Sequence, residues 1–147
     1  MSLEDKLAIQ EVIAQYSYTY DAQDAEGFAA LFTEDAVWEL FAAGSTHPAI
    51  RLDSRSAIHE WAMKRLRDRR GRLISRDYQS STLFEALTAE SARTRTMVLV
   101  THQHVTEAAP RPMASGVYHD QWRKTPERWR LVHRRLDHDT REPLISP

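Results

Sequence analysis

The sequence contains no cysteine and only four glycines in 147 residues. Without a thiol, disulfide bonds, a thiolate nucleophile and cysteine-ligated zinc are all excluded. An excess of either charge is missing too: Lys and Arg number 20 and Asp and Glu 21, a formal net charge of -1. So balanced a chain has no general attraction to nucleic acid or an acidic membrane, although its arginines bunch between Lys64 and Arg76. That run reads as a solvated helix face, with a phosphate partner as the alternative. No apolar run nears the roughly 18 residues that span a bilayer. The acidic start Met1-Ser2-Leu3-Glu4-Asp5-Lys6 is wrong for a signal peptide. A cytoplasmic protein without nucleic-acid or membrane partners is expected.

What is present is ordinary for a globular chain: apolar residues at 41% and charged residues at 28%. One domain over residues 1–147 is expected, since a chain of this size buries roughly 70% of its unfolded surface and can enclose a cavity. Ser2 can cap a first helix, with Asp5 at the reciprocal capping position. Leu3, Leu7, Ile9, Val12, Ile13, Tyr16 and Tyr20 supply a helical stripe committed to burial. Asp24 is the expected N-cap of a second helix from Ala25 to Phe32, broken by Thr33-Glu34-Asp35. Val37, Trp38, Leu40 and Phe41 read as a strand, and Ala43 to Asp53 as a loop. Asp53 or Ser54 caps a third helix carrying Ile58, Trp61, Ala62, Arg65 and Leu66, which Gly71 ends.

From Leu73 the period changes to two. Four long strands are expected: Leu73 to Leu87, Ala92 to Thr106, Met113 to Lys124 and Arg128 to His138. Their short connections favour antiparallel neighbours. Helices first and a long curled sheet after them is an α+β domain, with three N-terminal helices covering a cone-shaped, mixed or antiparallel sheet. Pro143 and Pro147 bracket a tail that either frays or docks.

Asp21 is the residue that most needs a reason. A carboxylate in the last turn of a helix opposes the macrodipole at a cost of roughly 0.3 to 1 kcal/mol. That field, with Tyr16, Tyr18 and Tyr20 excluding water, would raise its pKa towards that of a general base. The plainer role is to help the turn. On the first long strand, Leu73 to Leu87, alternation places Asp77, Gln79, Ser81 and Leu83 on one face and Arg76, Tyr78, Ser80, Thr82 and Phe84 on the other. Asp, Gln and Ser in mid-strand suggest a polar pocket lining or a polar subunit contact. His102 and His104 share a face with Val98 and Val100. A metal would need further ligands from Asp21, Asp77 or His119, and none of that spacing is diagnostic, so no metal is expected. A proton-handling pocket histidine or an edge histidine bound by the sheet are the two remaining roles. In Trp129 to His138, Trp129, Leu131, His133 and Arg135 alternate with Arg130, Val132, Arg134 and Leu136. Arg134 is expected either to pair with Asp77 or to stabilise an oxyanion.

The segments AIQEVIAQYSYTYDAQD, FAALFTEDAVWEL, SAIHEWA, RDYQSST, GVYHDQW and RWRLVHRR resemble the SnoaL-like family of the nuclear transport factor 2-like superfamily, over essentially the whole chain. Polyketide cyclases, scytalone dehydratase, bile-acid dehydratase and hexachlorocyclohexane dehydrochlorinase belong to that superfamily. The resemblance implies a cystatin-like fold and a cofactor-independent lyase, isomerase or cyclase acting on a hydrophobic carbonyl- or hydroxyl-bearing small molecule. A binding protein or an interaction subunit on the same fold is the alternative. It implies catalytic roles for Tyr16, Asp21, His102, Arg134 and Asp77, and a substrate wall of Tyr20, Trp38, Tyr78, Met113 and Tyr118. Asp77 stands where the dehydratase members carry a catalytic histidine, so the usual His–Asp dyad is not expected. A homodimer or homotrimer is implied through the exposed sheet.

Overall fold

The computed structural model describes residues 2–141. Ser2 caps α1 (Leu3–Asp21), its Oγ accepting from the Asp5 amide at 3.0 Å. The Asp5 carboxylate accepts from Lys124 Nζ and Trp129 Nε1, each at 2.9 Å, tying the start of the chain to the last hairpin. This contact selects the buried face of α1. At about 100° per residue, Asp5 lies on the side of Ile9, Val12, Ile13, Tyr16 and Tyr20, and Leu3 and Leu7 lie opposite. Ile9 through Tyr20 on that side are buried, whereas Leu3 and Leu7 are 72% and 61% exposed, contrary to the expected stripe. Tyr18 also faces solvent, so it shields nothing.

Asp24 caps α2 (Ala25–Ala29), accepting from the Gly27 amide at 2.9 Å. That helix is shorter than expected, because Phe32 opens β1 (Phe32–Phe41) and pairs with Leu131. Strand pairing overrides the helical spacing, and Thr33-Glu34-Asp35 is strand. The expected loop holds β2 (Ile50–Asp53), an edge strand too short to show a period, paired antiparallel to β1. Ser54 caps α3 (Arg55–Arg69), and Gly71 follows it with φ 71. β3 (Leu73–Leu87), β4 (Ser91–His104), β5 (Arg111–Lys124) and β6 (Trp129–His138) then fall where the two-residue period puts them.

One six-stranded sheet runs in the order β2-β1-β6-β5-β4-β3. β1 and β6 are parallel and every other pair is antiparallel, so the sheet is mixed. α1 and α3 pack into its concave side, joining Ile9, Ile13, Phe28, Ile58 and Leu66 to Phe32, Trp122 and Leu131 in one core.

Two bulges decide which side chains enter that concavity. In β6, Trp122 faces Leu131 and Gln121 faces His133, so Val132 is an extra residue. Leu131, Arg134 and Leu136 therefore share the buried side, correcting the simple alternation that set Leu131 and Arg134 apart. In β3, Ser81 and Thr82 together oppose Thr96, between Ser80 facing Met97 and Leu83 facing Arg95. Ser81 takes φ 57, and Thr82 bonds Thr96 inside at 3.0 Å. Leu83 is consequently turned outward, 52% exposed, off the face it was expected to share with Asp77.

Candidate active site

The site lies where the C-terminal end of α1 meets β3. Ser75, Asp77 and Gln79 of β3 point inward, with Ser75 facing His102 across the ladder. The Asp77 amide approaches Asp21 Oδ2 at 3.4 Å, a long contact. Asp21 Oδ1 and Asp77 Oδ1 are both sealed from solvent and have no hydrogen-bond partner, as is Ser75 Oγ. Buried carboxylate oxygens left without donors are costly when charged.

That cost appears in their acidity. Burial, and then the Asp77 charge, push Asp21 up to about 7. Burial pushes Asp77 up to about 6, against the pull of Arg134, Arg69 and Arg65. Two carboxylates so close share their titration, and the values belong to the pair. His102 is 3% exposed, and burial together with Arg69 and Arg111 pushes it down to about 4, so it is neutral at pH 7. His104 lies on the same face, opposite Leu73, but it is the last residue of β4 and is exposed. Among the described residues no three His, Cys, Asp or Glu side chains gather as a metal site.

The deep end of the concavity is filled. Arg134, with no exposed surface, donates from Nε and Nη2 to Asp120 at 2.8 and 2.9 Å, and from Nη2 to Gln79 Oε1 at 2.9 Å. Its guanidinium lies 4.1 Å from the centre of the Tyr16 ring and 3.8 Å from that of Tyr118. Burial would lower its pKa, but Asp120 holds it above the usual arginine value. Arg134 thus pairs with Asp120, and the expected pairing with Asp77 is not made. With one fork of its guanidinium committed, it is a poor oxyanion donor; only Nη1 is free of partners. Gln79 links this group to α1, donating to Ile13 O at 3.1 Å and Ser17 Oγ at 2.8 Å.

Tyr16 accepts from Trp38 Nε1 at 3.1 Å, and burial pushes its phenol up to about 12, leaving its own O–H intact as a donor. Trp38, Trp61 and Tyr20 form one aromatic wall: Trp38 is 5.1 Å and Tyr20 6.4 Å from Trp61 between ring centres. Tyr118 belongs to the deep end beside Arg134. Tyr78 is a correction: odd-numbered β3 residues face inward here, so Tyr78 lies outside, 57% exposed, and cannot line the site. Met113 is half-buried on β5, its Sδ 3.7 Å from Arg111 Nη1. Open clefts lie elsewhere, one of about 530 Å³ between β1 and the β5–β6 hairpin and one of about 730 Å³ where β1 meets α2 and α3, and both have Glu34, Arg55 and Arg130 in their lining.

Sequence reasoning missed Asp120 and Arg69. Asp120 is the polar member of an inward row with Tyr118 and Trp122, a pattern that asks for a buried cation. Arg69 continues the stripe of Ile58, Ala62, Arg65 and Leu66 one turn further, and is buried with it.

A helix-covered, curved mixed sheet with acidic and aromatic side chains at its concave face defines the nuclear transport factor 2-like, cystatin-like class. The SnoaL-like domain profile matches residues 1–135, and the chain belongs to that family. Rv3472, a protein of unknown function from Mycobacterium tuberculosis, is 31% identical, with a TM-score of 0.75 over 90% of this chain and 70% of that one. A putative scytalone dehydratase from Novosphingobium aromaticivorans has a TM-score of 0.75 at 22% identity, over 98% and 97% of the two chains. ActVI-ORFA from Streptomyces coelicolor matches at 0.75 and 20% identity, over 91% and 96%. At such identities the last two show the fold. No curated protein sequence matches the chain.

Proposed function

We propose that residues 1–147 act as a single-domain, cofactor-independent acid–base enzyme on a hydrophobic small molecule bearing a carbonyl or hydroxyl group. The observation that carries this reading is the Asp21–Asp77 pair, two half-buried carboxylates, each with one oxygen sealed from solvent and unpartnered, without a cation at contact distance and with acidity moved towards neutrality. Such a pair can hold one proton at pH 7, giving a base and an acid in the same place. Asp21 removes the substrate proton. Asp77, the more acidic of the two, stays ionised and by its charge raises the proton affinity of Asp21, which returns the proton to the departing or rearranged oxygen; the two carboxyls stand in for a His–Asp dyad. Neutral His102 and the Tyr16 hydroxyl are the hydrogen-bond donors for a substrate oxygen. Elimination, isomerisation and ring closure all use this proton inventory.

A binding protein is the second reading. It is favoured by the Arg134–Asp120 lock, which fills the deep end and removes the expected oxyanion stabiliser. Turnover of enolisable aryl ketones and hydroxy ketones by wild-type protein and Asp21→Asn decides between the two. The enzyme reading expects turnover that falls by about 10²-fold or more in the variant, the usual scale for losing a general base. Retention of ligand without product, or turnover indifferent to Asp21→Asn, leaves the binding reading. The uncovered outer face of β3 and β4, with Tyr78, Leu83 and Met97 exposed, supports a homo-oligomer.

A further inference from the structure

Arg69 is an arginine out of place. It is 8% exposed, and no carboxylate among the described residues comes within 4 Å of it. Its guanidinium sits 5.6 Å from the centre of the Tyr20 ring. One helical turn earlier, Arg65 donates from Nε to Tyr20 Oη at 3.0 Å and lies 5.2 Å from the centre of the Trp61 ring. Two guanidinium groups four residues apart on one helix face are thus held against the same aromatic wall. Each acts on the other, on His102 and on Asp77.

A buried cation without a partner is strongly unfavourable unless something neutralises it. Asp77 lies near enough to feel both arginines, yet it bonds neither, and its Oδ1 stays unpaired. The same region therefore presents two guanidinium groups on α3 that no carboxylate among the described residues pairs, and unmet acceptors on α1 and β3. A ligand that satisfies both carries an anion at one end and a hydroxyl or acidic C–H at the other, with a flat apolar body to lie along Trp38, Trp61 and Tyr20. The fork of an arginine matches a carboxylate in two parallel hydrogen bonds, which favours a carboxylate over a neutral ester or amide.

We propose that Arg65 and Arg69 form a carboxylate clamp beside the Asp21–Asp77 pair, so that the ligand class is the hydroxy- or oxo-substituted aryl carboxylic acids. This rests on the acid–base reading only for what happens to the ligand after it binds. The clamp orients the acid by its carboxylate, leaving the neighbouring hydroxyl or carbonyl towards Asp21 and Asp77. Arg65 and Arg69 are positioning residues in any turnover.

The test measures binding of 3-hydroxy-2-naphthoate and of 3-hydroxy-2-naphthamide by calorimetry, to wild-type protein and to Arg69→Met, Arg65→Met, Arg69→Lys and Asp21→Asn. The expected result is a preference of about tenfold or more for the acid in the wild type, the scale of a charge-assisted hydrogen-bond pair. Either methionine variant removes the preference with its circular dichroism unchanged, and Arg69→Lys keeps part of it. Asp21→Asn retains it. Equal affinity for acid and amide, absence of acid binding, or a preference that survives both methionine variants overturns the clamp. An acid preference in a protein that turns nothing over supports the clamp and sinks the enzyme reading, so the two fail separately.

Discussion

At the scale of single residues the chemistry depends on how the fold treats Asp21 and Asp77. Both have folded-state pKa values above the 3.8 of a free aspartate, about 7 and about 6. The folded form holds these protons more tightly than the unfolded chain. Their contribution to stability is therefore full below pH 3.8 and lost as pH rises through the folded values, between roughly pH 4 and 7. Asp77→Asn keeps the shape and removes the charge. It is expected to raise stability at pH 8 by an amount on the order of 1 to 3 kcal/mol, from a shift of about two units, and to leave stability at pH 4 nearly unchanged. Thermal melts of wild type and variant from pH 4 to 8 check this; parallel curves would mean that water or a cation neutralises Asp77. The candidates Asp21, Asp77 and His102 were legible in the sequence because a carboxylate at a helix end and polar residues in mid-strand both break the pattern around them. Arg69 was not, since an arginine in an arginine-rich run looks solvated until α3 is seen turning that side inward. Arg134 was found but given the wrong partner, because Asp120 lies on a strand whose facing side chains depend on register.

Register is a property of elements, and there the sequence was readable up to the bulges. The four long strands show themselves by alternation, and α1 and α3 by their stripes and caps. A period of two predicts faces only while no residue is added, and one insertion exchanges inside and outside for everything beyond it. Val132 does this in β6 and brings Arg134 into the core with Leu131. Ser81 does it in β3 and brings Thr82 and Phe84 inward while Leu83 turns out. Ser81 has no sequence signal, for a bulge residue at φ 57 is more comfortably glycine. Ser81→Gly is accordingly expected to stabilise the protein by about 1 kcal/mol, the scale of the left-handed penalty for a residue with Cβ. Ser81→Val, β-branched at the same φ, is expected to lose stability. Chemical denaturation of the three proteins reads both signs; a glycine variant less stable than wild type would show that the serine hydroxyl, not the backbone, matters there.

At the scale of the whole molecule one side of the sheet is covered and the other is not. The helices and the acidic site occupy the concave side. On the outer side, Tyr78 faces Leu99 across the β3–β4 ladder and Ser80 faces Met97, with Ile74 and Leu83 further along β3. Tyr78, Met97 and Leu83 are each more than half exposed, and β3 is the free edge of the sheet over fifteen residues. An apolar face next to a long unpaired edge would drive unregulated strand addition unless something covers it. The charged pairs on this side, Arg95 with Glu85 at 2.6 Å and His119 with Asp137 at 3.1 Å, border the patch without crossing it. A second copy of the chain presents the same apolar centre and charged border, which is what a self-complementary interface needs. Sedimentation velocity is expected to find a dimer or trimer for the wild type. Tyr78→Glu combined with Met97→Glu places four carboxylates in a two-fold contact and is expected to give a monomer with unchanged circular dichroism. Both residues point away from Asp21 and Asp77, so ligand binding at the concave site is expected to persist in that monomer. A wild type that sediments as a monomer would instead mean that the outer face stays uncovered by a second copy.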